Sequence, residues 1–261
     1  MSDSELNYGE GHIAFLEELW GDGYLSPGGP LEVKRLLAGI ELTGKTVLDI
    51  GSGTGGITLS LAREYGAAKV IGIDVEEPVC HHARQRIDRA GFGHRVEIRQ
   101  ISPTGPIPVA DESIDIVFSK DSIVHIPDKE TLAKDAMRML VPGGWFVASD
   151  WLIGHDDEPS PEMIDYLRKE DLGFGMASPT RYQRAFEEAG FVDVALSNRN
   201  RWYLEMAREE LKRLEGVERD KFDQALGDED VSEQIALWQA MLVVLETGEH
   251  CPHHIRGRKP L

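Results

Sequence analysis

The sequence predicts an α/β fold in which a mostly parallel sheet carries helices on both faces. Between residues 45 and 150, short apolar runs with β-branched residues alternate with stretches of helical spacing, which is the pattern of βαβ units. The first apolar run, Thr46–Ile50, leads directly into the glycine-rich segment Gly51–Gly56. The length of 261 residues suits one α/β domain with insertions, so we expect a single domain over 1–261.

Residues 1–30 are expected to form an N-terminal helical lid. Apolar residues recur there at helical spacing, namely Ile13, Phe15, Leu16, Leu19 and Trp20. A loop rich in glycine and proline follows at 21–29. The predicted core then spans 31–150 and begins with a short amphipathic helix over Leu31–Ile40.

Within the core, strand and helix candidates alternate. The predicted strands are Thr46–Ile50, Lys69–Asp74, Arg95–Gln100, Ile114–Ser119 and Trp145–Trp151. The predicted helices are Ile57–Tyr65, Val79–Ala90 and Lys129–Leu140, and a turn is expected at Pro142–Gly144.

The region 151–261 is expected to supply substrate-side helices and the last strands. Residues 154–178 are charged and then glycine-rich, and they break the alternation. Beyond them we predict helices at Thr180–Ala189, Trp202–Leu214 and Ser232–Leu245, strands at Val192–Leu196 and His253–Lys259, and an acidic turn at 227–230. The simplest architecture has a helical insert before the final strand.

The charge balance excludes several classes of partner. Asp and Glu number 46 against 28 Lys and Arg, which gives a formal net charge of −18. Binding to nucleic acid or to an anionic lipid surface needs a basic face, so neither is expected. The chain has no apolar run of about 18 residues, no recognisable signal sequence and no disulfide framework. We therefore expect a cytoplasmic protein, monomeric or homodimeric, that acts on a small molecule.

A cofactor site is predicted where the first strand ends. Glycines allow the backbone to turn tightly and to approach a ligand, and the following helix start offers unpaired N–H groups. Asp74 ends the second strand, 21 residues after Gly53, close to the spacing at which an acidic residue accepts ribose hydroxyls. Dinucleotides and S-adenosylmethionine both use this arrangement. Asp49 would repel a pyrophosphate, which favours S-adenosylmethionine.

The segment Val47–Gly55 resembles the first motif of class I S-adenosylmethionine-dependent methyltransferases, and Gly72–Asp74 resembles their second. Ile114–Phe118 and Leu140–Gly144 are similar to later motifs. The resemblance implies a Rossmann-like sheet of seven strands whose last strand is antiparallel. Cofactor contacts are expected at Asp49, Gly51, Ser52, Gly53, Asp74, Val75, Ser102 and Ser119.

A further resemblance, over nearly the whole chain, is to phosphoethanolamine N-methyltransferases. It is carried by Asn7-Tyr8, by Tyr24–Gly29, by Ser119–Ile126 and by the stretch from Trp238 to Glu249. It implies that Tyr8 and His125 form a catalytic latch over the substrate and that Asp121 contacts the substrate amine. It also implies that Tyr24 and Ser26 lie over the cofactor.

The chain departs from that family where a phosphate would be held. Glu170, Leu172 and Met241 stand where the family carries the Arg, Tyr and Lys of the phosphate clasp. Two lost cations and a gained carboxylate would repel a phosphate. We therefore expect N-methylation of a small non-phosphorylated amine or amino acid, and we regard phosphoethanolamine itself as a weaker alternative.

An amine acceptor must lose its proton before it can attack, so a base is useful, and His125 is expected to supply it. A thioether needs no base, and S-methylation of a small thioether or thiol such as methionine stays open. Its sulfonium product would be stabilised by aromatic and polarisable side chains, for which the candidates are Trp151, Tyr166, Trp238 and Met241. A cofactor sensor without catalysis and a nicotinamide dehydrogenase also stay open. No metal site is expected.

Overall fold

The computed structural model describes residues 9–261, and in this part of the chain seven strands form one mixed sheet. The strands are β1 (Thr46–Ile50), β2 (Lys69–Asp74), β3 (Val96–Gln100), β4 (Ile114–Lys120), β5 (Leu140–Asp150), β6 (Val192–Asn198) and β7 (His253–Arg258). Their order across the sheet is β3-β2-β1-β4-β5-β7-β6. Strands β1 to β5 are parallel, and β7 is antiparallel to both neighbours. The predicted seven-stranded sheet with an antiparallel last strand is confirmed.

Ten helices surround this sheet in the described residues. They are α1 (Glu10–Trp20), α2 (Gly29–Leu36), α3 (Gly56–Arg63), α4 (Glu77–Ala90), α5 (Lys129–Met139), α6 (Pro161–Glu170), α7 (Pro179–Glu188), α8 (Asn200–Glu215), α9 (Arg219–Leu226) and α10 (Asp228–Thr247). Within residues 9–261, none of these helices is long and apolar enough to cross a membrane.

Successive residues of the central strands point to opposite faces of the sheet, which is why helices cover both faces. Val47 packs into a core shared with Leu36 of α2 and Leu61 of α3. Its neighbour Leu48 packs into a second core with Ala136 of α5 and Phe186 of α7. All of these side chains are buried, so the central strand β1 reads as a nearly continuous apolar run, whereas the edge strand β3 does not.

The N-terminal helix α1 packs against the insert formed by α8, α9 and α10. The ring of Phe15 meets that of Phe222 edge-on, with centroids 5.6 Å apart, and lies 6.3 Å from the ring of Trp238. This third apolar cluster joins the first described helix to helices more than 200 residues later in the chain. It builds a helical layer next to the carboxyl edge of the sheet.

Helix α6 was not predicted, and it carries a functional candidate, Glu170. Residues 154–178 contain α6, which begins at Pro161 directly after Ser160. The Ser160 hydroxyl accepts a hydrogen bond from the Met163 N–H at 3.1 Å, so the helix has both a serine cap and proline at its first position. The start signal was present in the sequence. Only Met163 and Tyr166 of the helix are buried, which left too little apolar periodicity to see.

Two turn predictions were wrong. The acidic residues of the expected turn at 227–230 form the first turn of α10, where the positive end of the helix dipole favours carboxylates. The helix before them, α9, was also missed. Pro142–Gly144 lies inside β5, at a register shift between the pairs Ile114–Leu140 and Ile116–Trp145. The strand therefore begins five residues earlier than predicted.

Candidate active site

A cavity of about 390 Å³ opens at the carboxyl ends of β1, β2 and β4. Strand β1 lies between β2 and β4, which is the switch point at which open α/β sheets bind their ligands. Nine of the residues predicted from the sequence line this cavity: Ser26, Gly51, Ser52, Gly53, Asp74, Val75, Ser102, Asp121 and His125. The sheet topology thus brings these residues to one place.

The glycine loop after β1 needs its glycines for steric reasons. Gly51 and Gly53 have φ values of +75° and +50°, which side chains rarely adopt. A Cβ atom on Gly51 would lie 1.8 Å from the Ser122 hydroxyl. The N–H groups of Gly51 and Ser52 both donate to the Ile73 carbonyl, which fixes the loop on the end of β2.

The Asp74 carboxylate is held by the backbone around it. Its Oδ2 accepts from the Gly53 N–H at 2.9 Å, and its Oδ1 accepts from the N–H groups of Val75 and Glu76 at 2.8 and 3.1 Å. Burial raises the pKa of Asp74, although these three N–H donors oppose the shift. Each carboxylate oxygen has further acceptor capacity, so Asp74 can still bind a donor from within the cavity.

Three predicted cofactor residues do not line the cavity. Asp49 is buried, and its Oδ2 accepts from the Thr58 hydroxyl at 2.6 Å; burial raises its pKa to about 7. The Ser119 hydroxyl donates to the Ile50 carbonyl at 2.8 Å. Tyr24 packs in the core beside α2 and α3. These side chains support the site from behind, and any contact of theirs with a cofactor stays a prediction.

His125 ends a single 3₁₀ turn after β4, Ile123–His125. Its Nδ1 lies 3.0 Å from the Leu172 carbonyl, and a carbonyl only accepts, so Nδ1 carries the proton of the neutral ring. Nε2 is then the unprotonated nitrogen. Burial lowers the pKa of His125, and the charge of Lys129 lowers it further against the effect of the Leu172 bond. Neutral His125 is therefore ready to accept a proton.

Asp121 sits in a dense polar network. Lys120 Nζ lies 2.6 Å from its Oδ2 and also donates to the Ser26 hydroxyl at 2.8 Å. The hydroxyls of Ser149 and Tyr203 donate to the carboxylate at 2.7 and 2.9 Å. The side chains of Lys120 and Asp121 are each 1% exposed. The carboxylate is thus charge-compensated and fixed in direction.

A second, smaller cavity of about 70 Å³ adjoins the first. Five residues line both cavities, namely Leu25, Ser26, Asp121, His125 and Leu172. Trp151, Trp238 and Met241, which were predicted to contact the acceptor, line the second cavity together with Glu170. The shared wall identifies the smaller cavity as the candidate acceptor pocket.

Tyr166, which was predicted to contact the acceptor, lies elsewhere. Tyr166 does not line the second cavity; its ring stacks on His250 at a centroid distance of 5.5 Å, and its buried hydroxyl has no partner among the described residues. Burial lowers the pKa of His250 to about 4. Tyr8 lies outside the residues that the structure describes. Across residues 9–261, no three His, Cys, Asp or Glu side chains converge on a point that could hold a metal ion.

Several residues of the site were missed in the sequence. Tyr203 meets Asp121 across 82 positions of chain, so no local pattern reveals the pair. Glu210 accepts from the indole N–H groups of Trp20 and Trp238 at 2.7 and 3.0 Å, and burial raises its pKa to about 7. Glu210 lies in the middle of α8, and nothing in the sequence distinguishes it from the other polar residues of an amphipathic helix. Only the three-dimensional packing gives it a role at the acceptor pocket.

Known proteins resemble this chain over most of its length. Residues 47–144 match the family model described as "Methyltransferase domain". Phosphoethanolamine N-methyltransferase 1 of Arabidopsis thaliana is 29% identical over 238 residues, which cover 91% of this chain and 47% of that protein. The chain thus spans about half the length of the first curated relatives that it matches.

Two further methyltransferases have a similar sequence identity to this chain. A 27-O-demethylrifamycin SV methyltransferase of Amycolatopsis mediterranei is 30% identical over 247 residues, covering 84% of this chain and 89% of that protein. A sarcosine/dimethylglycine N-methyltransferase of Halorhodospira halochloris is 30% identical over 176 residues, covering 65% of this chain and 61% of that protein.

Part of one solved structure superposes on nearly the whole of this chain. Phosphoethanolamine N-methyltransferase 2 of Haemonchus contortus, in complex with phosphomonomethylethanolamine and S-adenosylhomocysteine, superposes with a TM-score of 0.88 at 25% identity, covering 98% of this chain and 59% of that chain. The chain belongs to the class I S-adenosylmethionine-dependent methyltransferases. This membership confirms the predicted cofactor class, S-adenosylmethionine.

Proposed function

We propose that this chain transfers a methyl group from S-adenosylmethionine to the nitrogen of a small amine that carries no phosphate. One observation carries the proposal. Glu170, Leu172 and Met241, the positions at which the phosphate clasp is expected by resemblance, all line the acceptor pocket, and none is cationic. The amine chemistry follows from His125, which lines the wall shared with the larger cavity.

The residues of the larger cavity fit S-adenosylmethionine. Gly51 and Gly53 keep the loop in the positive-φ turn that forms one wall of this cavity. Asp74 offers a carboxylate that still has acceptor capacity, as a ribose requires. Glu76 adds a second carboxylate to the wall, which suits a cationic group better than a pyrophosphate. The bound sulfonium supplies an electrophilic methyl group.

His125 and Asp121 prepare the acceptor for this transfer. An ammonium has no lone pair, so one N–H proton must leave, and we expect the unprotonated Nε2 of His125 to accept it. The Asp121 carboxylate accepts a hydrogen bond from a remaining N–H and turns the nitrogen lone pair toward the larger cavity. Most of the rate gain is expected from this positioning.

The described residues that line the acceptor pocket include His12, whose pKa is lowered by burial, but no permanently charged cation. Among the described residues, no Lys or Arg lines the smaller cavity. Lys120 lines the larger one, and its charge is already compensated by Asp121 at 2.6 Å. Glu170 would place a carboxyl group next to any phosphate there. Phosphate binding without a free cation is unfavourable, and a nearby carboxylate makes it more so.

The element that receives the methyl group can be tested directly. The purified protein is incubated with methyl-labelled S-adenosylmethionine and a panel of small amines, amino acids, phosphoethanolamine, thiols and thioethers, and the products are identified by mass. We expect N-methylated products from phosphate-free amines, and loss of this turnover in His125→Ala. Label only on sulfur, with turnover unaffected in His125→Ala, would contradict the proposal in favour of S-methylation.

A further inference from the structure

The acceptor pocket contains a carboxyl group that does not belong to the wall shared with the larger cavity. This carboxyl group has no hydrogen-bond or ion-pair partner among the described residues. Glu170 is the last residue of α6 and lines the pocket. Among residues 9–261 it makes no hydrogen bond and no ion pair, and burial raises its pKa to about 8. Glu170 is half-buried, and its carboxyl oxygens, which have no partner in the described part of the chain, retain their full capacity to bind a ligand that carries N–H donors.

Aromatic side chains line the same pocket as Glu170. They are Trp20, Trp151, Phe174 and Trp238. Aromatic faces attract cations through the negative potential of the ring. The aromatic lining, together with the carboxyl of Glu170, is therefore suited to a positive group.

Glu210 does not line the pocket, but it strengthens the preference for a positive group through two of the lining side chains. It accepts from the indole N–H groups of both Trp20 and Trp238, whose rings lie 6.2 Å apart at an angle of 36°. The two bonds fix both rings before any ligand arrives. A carboxylate on an indole N–H also pushes electron density into the ring, which makes its face more attractive to a cation.

The reacting nitrogen of the acceptor belongs at the other end of the pocket. Asp121 and His125 line the wall shared with the cofactor cavity, whereas Glu170 lines only the smaller cavity. One molecule that fills the pocket thus presents its reacting end to His125 and its other end to Glu170. The two ends meet different chemistry, a base at one and an unpaired carboxyl at the other.

We propose that the acceptor is a short diamine, whose reacting amine meets His125 while its far ammonium binds between Glu170 and the aromatic side chains of Trp20 and Trp238. This inference rests on the proposed function and adds the chemical nature of the acceptor's second end, the one that does not react. It makes Glu170 the residue that selects among phosphate-free amines.

The test compares two acceptors of equal length, 1,3-diaminopropane and butylamine, which differ only in the far group. For the unmodified protein we expect kcat/KM to favour the diamine by about tenfold or more. In Glu170→Gln this preference is expected to fall to roughly twofold or less. Glu162→Gln, an exposed glutamate on the same helix, is the control and should keep the preference.

The outcomes separate this inference from the proposed function. Methylation of both acceptors at equal kcat/KM by the unmodified protein overturns the diamine assignment but leaves N-methylation in place, whatever the stability of Glu170→Gln. Retention of the preference in a folded Glu170→Gln overturns the role of this residue. Failure to methylate any amine overturns the proposed function and the inference with it.

Discussion

Lys129 and Asp150 together hold the backbone of the turn that carries His125. Lys129 Nζ donates to the carbonyls of Ile123 and Ile126 at 2.7 and 2.6 Å, and Asp150 Oδ1 accepts from the Val124 N–H at 2.8 Å. Both side chains are fully buried. Burial lowers the pKa of Lys129 and raises that of Asp150, and their mutual attraction opposes both shifts. His125 is thus positioned by buried charges below the cavity.

Removing one of these charges should lower both the stability of the fold and the turnover at the site. Asp150→Asn leaves Lys129 without its compensating charge, so we expect the free energy of unfolding to fall by about 3 kcal/mol. The double variant Lys129→Met, Asp150→Asn should recover part of that loss, as chemical denaturation would show. Its kcat is expected to stay roughly tenfold low, because the carbonyl anchors of the turn are gone.

A pH profile distinguishes positioning from a general loss of stability. Lys129 lowers the pKa of His125 through its charge, so Lys129→Met should move the acid limb of kcat/KM to higher pH. An unmoved acid limb in a folded Lys129→Met variant would show that the lysine does not act on His125.

His125 itself should set the acid limit of activity. Its pKa is lowered from 6.5, so kcat/KM is expected to fall only below about pH 6.5, as the imidazole becomes protonated and loses its capacity as a base. His125→Ala should lose about 10²- to 10⁴-fold in kcat and also lose this limb. His81→Ala, an exposed histidine on α4, is the matched control and should retain both.

Glu32 should account for part of the acid sensitivity of the fold. Burial alone would raise its pKa, but hydrogen bonds from His254 and Arg35 and the charge of Arg199 lower it from 4.5 to about 2. Its contribution is present above pH 4.5 and is lost as the pH falls toward 2. Glu32→Gln should cost about 3 kcal/mol at neutral pH. Acid titrations of folding should show a shallower loss between pH 4.5 and 2 in this variant than in the exposed control Glu188→Gln.

Glu170 should show the opposite dependence. Its pKa is raised from 4.5 to about 8, so the neutral form is favoured in the folded chain, and stability is lost as the pH rises from 4.5 through 8. We expect Glu170→Gln to raise the free energy of unfolding at pH 8 by about 1–3 kcal/mol and to have little effect at pH 4. Thermal melts at the two pH values measure the difference, and an equal effect at both would refute the assignment.

Features that depend on neighbouring residues in the chain were predicted from the sequence. The five parallel strands, the glycine loop and Asp74 were all predicted, because buried strands and close backbone turns leave continuous signals. Helices α6 and α9 were missed because each buries only one or two side chains. The network around Asp121 joins residues up to 82 positions apart, and such contacts leave no periodicity. The Asp49 carboxylate accepts a hydrogen bond from Thr58, and its expected contact with the cofactor stays a prediction.

The central claim is that the acceptor carries no phosphate, and relative turnover tests it most directly. For matched pairs of an amine and its phosphate ester, such as ethanolamine and phosphoethanolamine or 3-aminopropanol and its phosphate, kcat/KM is measured with saturating S-adenosylmethionine. We predict that the phosphate-free member is favoured by about tenfold or more in every pair that is methylated. A consistent preference for the phosphate ester would contradict the account.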